Sequence, residues 1–297
     1  MSRFSLQEAR RIVALHHALA NAGVQVPRSL LDSSTRELCM PYLSDITAYQ
    51  YVTHETACES DDNQWSIIFN TNISPLLPLI HLHATPIDGL PVSPTKPWQS
   101  ICNRLLQIHD AGDTDDEHLA MLSNRLNSFY LTLRQHEALT DSLHRDKHHL
   151  VHGDFHFRQV LLDLQTPCTW LIDLDDVGIG HREQDIGNLL AHIMTSKEFL
   201  RDSPVACHDR LKMLVIMSLK KLGSKRLNQQ RLAFYTALSL LRRALKFVTD
   251  DRYEVHRKCL NENYLTFMET LIDRHASPSL ITRFTPEPAK DTIANGF

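Results

Sequence analysis

Two stretches in the middle of the chain, "HGDFHFRQVLLD" at 152–163 and "TWLIDLDD" at 169–176, constrain the fold more than any other feature. Each carries a short apolar run of strand type bounded by turn residues, whereas the periodicity on either side is helical. A polar loop, an apolar strand, a turn and a second apolar strand ending in acids make a hairpin. That hairpin brings Asp154, Gln159 and Asp173 near one another at one end. Two carboxylates and an amide carbonyl are hard oxygen donors, a set that suits Mg²⁺ better than zinc. One carboxylate of such a cluster can instead accept the proton of an attacking hydroxyl.

Most of the remaining sequence reads as helix. "SLQEARRIVALHHALANAG" places Ser5 and Glu8 at capping-box spacing, repeats Leu6, Ala9, Ile12, Val13 and Leu19 at helical intervals, and stops at Gly23. "VPRSLL" and "RELCMPYL" are short extended segments on either side of the polar turn "DSST". "ISPLLPLIHLHA", "KPWQSICNRLLQIHDAG" and a pattern from about Asp115 to Leu143 are helical. So are "DIGNLLAHIM", "CHDRLKMLVIMSLKKLG", "QQRLAFYTALSLLRRALKFV" and "DRYEVHRKCLNENYLTFMETLIDRH". The implied organisation is a small N-terminal unit at 1–43, a helical body at 44–275 that carries the β-hairpin at 147–176, and a loosely ordered tail at 276–297.

With 297 residues, 42% apolar and 22% charged, the chain has the profile of a globular protein with a sizeable core. A net charge of -4 without a long basic run gives no footprint for nucleic acid or a membrane surface. The six cysteines form no CxxC pair, which fits free thiols in a reducing cytoplasm. The longest apolar stretch, "SPLLPLIHLHA", is too short and too broken by proline to span a bilayer. The expectation is a cytoplasmic protein with neither nucleic-acid nor membrane partners.

"HGDFHFRQVLLD" followed by "LIDLDDVGIGHREQDIGNLLAHI" resembles the aminoglycoside phosphotransferase and choline kinase-like family, which carries His-Gly-Asp-x-x-x-x-Asn and then Ile-Asp-x-x. The resemblance implies an α+β, protein-kinase-like bilobal fold with a reduced N-lobe and a mainly helical C-lobe. By that resemblance Asp154 is the catalytic-loop base, and His156 sits where protein kinases keep a Lys, in reach of a phosphate. Gln159 takes the place of the metal-binding Asn, Asp173 holds Mg²⁺ against the nucleotide phosphates, and Asp175 is an auxiliary metal ligand. Asp185 is then a structural aspartate and His152 a brace for the loop, while Met40 and Tyr42 line an adenine site. The implied reaction moves the γ-phosphate of ATP to a hydroxyl of a small polar acceptor such as a sugar, amino sugar or amino alcohol. Acidic residues such as Asp176, Glu183, Asp250 and Asp251 offer an attraction for a cationic acceptor, although solvated surface charge is the ordinary reading of most of them.

Two parts of the kinase machinery do not occur in the N-terminal sequence: it has no G-x-G pattern and no Lys before Lys96. A positioned base is worth roughly 10²–10⁴ in rate, and holding reactants in register about 7–11 kcal/mol; Asp154 supplies only the first. Three explanations stay open: a start placed upstream, a phosphate grip supplied from elsewhere, or a degenerate pseudokinase that binds a protein partner without catalysing. Two other readings of the motif also stand. His152, Asp154 and His156 at i, i+2 and i+4 share one face of a strand and offer a zinc site, though this leaves Asp173 and Asp175 unused. A turn of ordinary polar residues accounts for each residue singly and poorly for their joint spacing.

Overall fold

Helix α1 (Leu6–Asn21) turns Ala9, Leu15 and Leu19 inward, the last two one helical turn apart. It closes where the Gly23 and Val24 amides donate to the carbonyls of Ala20 and Leu19, both at 3.0 Å, which satisfies acceptors a helix end leaves orphaned. The computed structural model describes residues 6–21, 23–27, 30–32, 37–39, 46–48, 50, 95–110, 117–145, 149–163, 168–195, 227–253 and scattered positions from 257 to 271. Met40 and Tyr42, the Ser5–Glu8 cap, and the helices expected at "ISPLLPLIHLHA" and "CHDRLKMLVIMSLKKLG" lie outside what is described.

Strands β1 (Leu30–Asp32) and β2 (Glu37–Cys39) pair antiparallel with Leu30 opposite Cys39. A two-residue strand, β3 (Ile46–Thr47), follows. Helices α2 (Thr95–Asp110) and α3 (Glu117–Leu139) come next; α3 buries Leu122, Leu126, Phe129 and Leu133, the i, i+4, i+7, i+11 stripe of a core-facing helix.

The central β-layer consists of two ladders. Strands β4 (His149–Val151) and β7 (Gly178–Gly180) form one, with Val151 opposite Gly178. Strands β5 (Val160–Asp163) and β6 (Cys168–Leu171) form the expected hairpin, with Val160 opposite Leu171, and β3 adds to its β5 edge. The chain therefore crosses between the ladders twice, outward through 152–159 and back through 172–177. Antiparallel pairing at both ends holds these two crossings side by side, and the Ile172 amide donates to the Gln159 carbonyl at 3.0 Å.

Helices α4 (Arg182–Met194) and α5 (Gln229–Thr249) form the core under this layer. Leu232, Leu238, Leu241, Leu245 and Phe247 of α5 are buried against Ile186, Leu189, Leu190 and Ile193 of α4 in one apolar cluster. Burial of each such side chain contributes about 1.5–3 kcal/mol. The close pairing of α4 and α5 depends on Gly187, where a Cβ would lie 2.6 Å from the Thr236 amide nitrogen. Helix α4 also buries Glu183, Gln184, Asp185 and Asn188, an unusual load of polar groups for an interior helix. Among the described residues, Cys102 and Cys168 are in no disulfide, and no helix is long and apolar enough to cross a membrane.

Candidate active site

The first crossing begins with backbone that only glycine adopts easily. Gly153 has φ +84°, and a Cβ there would lie 2.3 Å from the Asp176 carbonyl oxygen of the second crossing. The peptide on either side is pinned from beneath by Asp185 of α4, whose carboxylate accepts from the amides of His152 at 2.8 Å and Gly153 at 2.9 Å. His152 joins the two crossings. Its Nε2 lies 2.9 Å from the Ile172 carbonyl, so Nε2 carries the proton and Nδ1 accepts from the Asp154 amide at 3.4 Å. These contacts are those of a brace.

Asp185 is fully buried, and burial pushes its carboxyl up to about 6 against the opposing pull of His152 and the two amide donors. The folded chain thus binds that proton more tightly than the unfolded one. The associated stability is complete below the ordinary carboxylate range and is lost as pH rises through 6, on the order of 3 kcal/mol. Asp185→Asn is expected to flatten this part of the curve of unfolding free energy against pH between about 4 and 6.5, read by urea titration. A slope equal to that of the parent chain would show that Asp185 does not carry it.

Asp154 follows, mostly buried, with its two oxygens in different surroundings. Oδ1 accepts from Asn188 Nδ2 of α4 at 3.1 Å and pairs with the Arg242 guanidinium of α5. Arg242 also donates to Asn188 Oδ1 at 3.0 Å, and Asn188 Nδ2 reaches the Phe155 carbonyl at 3.1 Å, which closes a clamp around one carboxylate oxygen. Oδ2 faces His156 Nε2 at 3.8 Å, beyond hydrogen-bond reach. Burial, the largest single influence, would raise the Asp154 carboxyl, but the Arg242 guanidinium together with His156 and His152 outweighs it and holds it below the usual range. The group is an anion at neutral pH, with one oxygen clamped and the other left without a hydrogen bond from His156.

His156 has neither the exposure nor the charge of the Lys whose place it takes. Its ring is buried and stacked on His192 of α4 at 3.8 Å between centroids, and its Nδ1 accepts from the Arg158 amide at 3.2 Å. Burial lowers its pKa to about 3, with the nearby Asp154 opposing, so the ring is neutral. Arg243, itself buried and lowered to about 10 by that burial, lies 3.0 Å from His192 Nε2. The strand-face zinc arrangement does not form either, since both His152 nitrogens are engaged in the loop. Asp154 and His156 instead lie with His192 so that one ligand atom from each falls within 4.8 Å of the others. Two guanidinium groups rest on this trio, and their charge opposes a dication there.

The second crossing carries Asp173 at the end of the hairpin, in the left-handed region at φ 59°. The structure brings Gln159 to it: the Gln159 side-chain amide donates to Asp173 Oδ2 at 2.6 Å. Burial raises the Asp173 carboxyl, and the charge of Asp175 two residues on raises it further. Carboxylates that repel one another, beside an amide whose half-turn exchanges a donor for a carbonyl oxygen, make a donor set that fits a hard divalent cation. The other acids behave differently. Glu183 is buried, accepts from the Asn228 amide at 2.8 Å and pairs with Arg231 at 3.3 Å. Asp250 pairs with Arg252 at 2.7 Å, which holds its carboxyl low. Neither is disposed to attract a cationic acceptor.

Sequence reasoning missed Asn188, His192, Arg242 and Arg243. The signal was available in part, because "LRRAL" sets two arginines inside an apolar helical segment, and a buried arginine requires a partner. Asn188 falls one turn after Asp185 on the same face of α4.

Comparison with known proteins now has a geometry to meet. The chain matches the family described as "Phosphotransferase enzyme family" over residues 2–204. No curated protein matches it. Among solved structures it is similar to a Ralstonia eutropha JMP134 protein assigned to the aminoglycoside phosphotransferases, at 14% identity and TM-score 0.55, covering 94% of this chain and 84% of that one. It is also similar to a thermostable mutant of the aminoglycoside phosphotransferase APH(4)-Ia, at 14% identity and TM-score 0.54, covering 90% of this chain and 83% of that one. A choline/ethanolamine kinase family protein from Mesorhizobium loti aligns at 14% identity and TM-score 0.49, covering 89% and 82%. At such identities the likeness in structure speaks for the fold, and membership rests on the family match, which covers more than half of the chain. The chain belongs to the phosphotransferase enzyme family, with the α+β, protein-kinase-like fold of those enzymes and a mainly helical C-terminal body.

Proposed function

We propose that the chain transfers the γ-phosphate of ATP to a hydroxyl of a small polar acceptor, with Asp154 as the group that orients and deprotonates that hydroxyl. The observation that carries this reading is the pairing of the two crossings, which sets an anionic Asp154 beside a Gln159–Asp173 pair joined at 2.6 Å. The acceptor oxygen attacks the γ-phosphorus, its proton passes to Asp154 Oδ2, and the bond to the leaving ADP oxygen breaks. The low basicity imposed by Arg242 is compatible with this chemistry, because phosphoryl transfer depends chiefly on positioning and charge stabilisation. Asp173 and Gln159, with Asp175 as an auxiliary, would hold Mg²⁺. Bound there, the ion supplies neutralisation of phosphate charge. His156 supports Asp154 by packing, and Met40 and Tyr42 are assigned to the adenine. We place the reaction in the cytoplasm.

Calorimetric titration of the 297-residue chain with ATP, with and without Mg²⁺, tests the reading. Binding is expected to strengthen with Mg²⁺ and to weaken by at least roughly 10–100-fold in Asp173→Ala, the loss that follows when even an outer partner of a metal ligand is removed. Equal affinity in parent and variant would remove Asp173 from the metal site. No binding at millimolar ATP would instead favour a degenerate kinase fold working through a protein partner.

A further inference from the structure

Between α2 and the second crossing lies a cavity of about 550 Å³, lined by Gln99, Ser100, Asn103, Arg104 and Gln107 of α2, by Asp176, and by Arg242 of α5. That volume is within the range of small-molecule sites. Two contacts join it to the candidate base. The Arg242 guanidinium that lines it also pairs with Asp154 Oδ1, and the carbonyl of Asp176 lies against Gly153, next to Asp154 in the chain.

The chemistry of the lining is selective. Recognition of a quaternary ammonium uses aromatic faces, and a polycationic amino sugar calls for several carboxylates. Among the described lining residues there is no aromatic ring and one carboxylate, Asp176. Arg242 is neutralised by Asp154, which leaves Arg104 and Asp176 as an approximately balanced pair of charges. Arg104 is anchored to the end of α5 by donating to Thr249 Oγ1 at 2.6 Å. What dominates is a row of primary amides, Gln99, Asn103 and Gln107, at intervals of one helical turn, with Ser100 and Arg104 in a parallel row. Successive members of such a row rise about 6 Å along the axis, close to the width of a sugar ring. A primary amide both donates and accepts, as a hydroxyl does.

We propose that this cavity is the acceptor subsite and that the acceptor is an uncharged polyhydroxy compound, a sugar or polyol, read by the amide face of α2. The proposal rests on the phosphotransfer reading for its reaction, which forms a phosphate ester on one hydroxyl, delivers that hydroxyl's proton to Asp154 and releases ADP. It does not rest on it for binding.

Two measurements separate these parts. Saturation-transfer NMR on the purified chain, with neutral hexoses, disaccharides and polyols set against an amino sugar and choline, reads binding without ATP. ADP release with Mg²⁺–ATP and each compound reads transfer. A neutral polyhydroxy compound is expected to give the strongest saturation transfer and the highest kcat/KM. Asn103→Leu with Gln107→Leu, both on the exposed side of a helix that leucine suits, is expected to raise the sugar's KM at least tenfold while ATP affinity and thermal unfolding stay at the parent values. Sugar binding that disappears in this variant supports the cavity even in a chain that turns over no ATP. Binding by no neutral sugar, preference for the amino sugar or choline, or an unchanged KM in the double variant each overturns the proposal. Mg²⁺–ATP binding that persists in those cases leaves the phosphotransfer reading standing.

Discussion

Asp154→Asn is expected to lower the acceptor-dependent rate of ATP turnover by roughly 10²–10⁴, the contribution of a positioned general base. The amide keeps the shape of the carboxylate, so Asn188 and Arg242 retain a partner in the same place. What is lost is the anionic oxygen, Oδ2, to which the acceptor's proton would pass. The loss is expected in kcat, with ATP affinity kept, because the nucleotide phosphates are assigned to Asp173 on the other crossing and to Gln159 at the far end of this one. Arg242 loses its counter-charge, and stranding a fully buried ion costs about 3–5 kcal/mol. The Arg242 side chain is 18% exposed, so the cost to stability is smaller and the variant stays folded at assay temperature. Turnover equal to the parent's would remove Asp154 from the role of base.

The second large effect is expected at Gly187→Ala, a change that would stabilise an isolated helix by up to about 1 kcal/mol. Here the new methyl would meet backbone: the Thr236 nitrogen at 2.6 Å, the Tyr235 carbonyl carbon at 2.7 Å and the Tyr235 Cβ at 2.9 Å. None of these atoms can rotate aside, so α4 and α5 must separate. Overpacking of this kind costs about 1–3 kcal/mol, and each kcal/mol lowers Tm by about 2–4 °C in a chain of this size class. The same separation moves Asn188 and Asp185, on α4, away from Arg242 on α5, so kcat is expected to fall together with Tm. Differential scanning calorimetry and initial rates on one preparation check both; an unchanged Tm would show that the helices have room to spare.

The parts of the site that were legible in the sequence are those that neighbouring residues build. Strand-type runs around "LQTPC" define the β5–β6 hairpin, and a hairpin leaves little choice about where Gln159 and Asp173 go. Helices α2, α3, α4 and α5 fall where apolar periodicity puts them. Periodicity states which face of a helix is buried, but not which helix it will meet. For that reason the Arg242–Asp154 pair, 88 residues apart, had no local sign beyond two arginines in an apolar run. His156 shows the same limit from the other side. Its place in the motif suggested a phosphate contact, and only the docking of α4 sets His192 over its ring and takes its charge away. Glu183 looked like surface acid and is the buried partner of Arg231, because α5 starts directly above it.

The clamp on Asp154 bears on when in its synthesis the chain can become competent. Both crossings are complete in sequence at residue 180, yet Arg242 lies more than sixty residues later. Until α5 docks, Asp154 lacks its counter-ion, α4 has its apolar face uncovered, and the cavity wall that Arg242 provides is missing. Contacts of such long sequence separation form late, since the intervening chain must be ordered first. A chain ending before α5 would therefore display the whole His-Gly-Asp motif without the Arg242 clamp on Asp154.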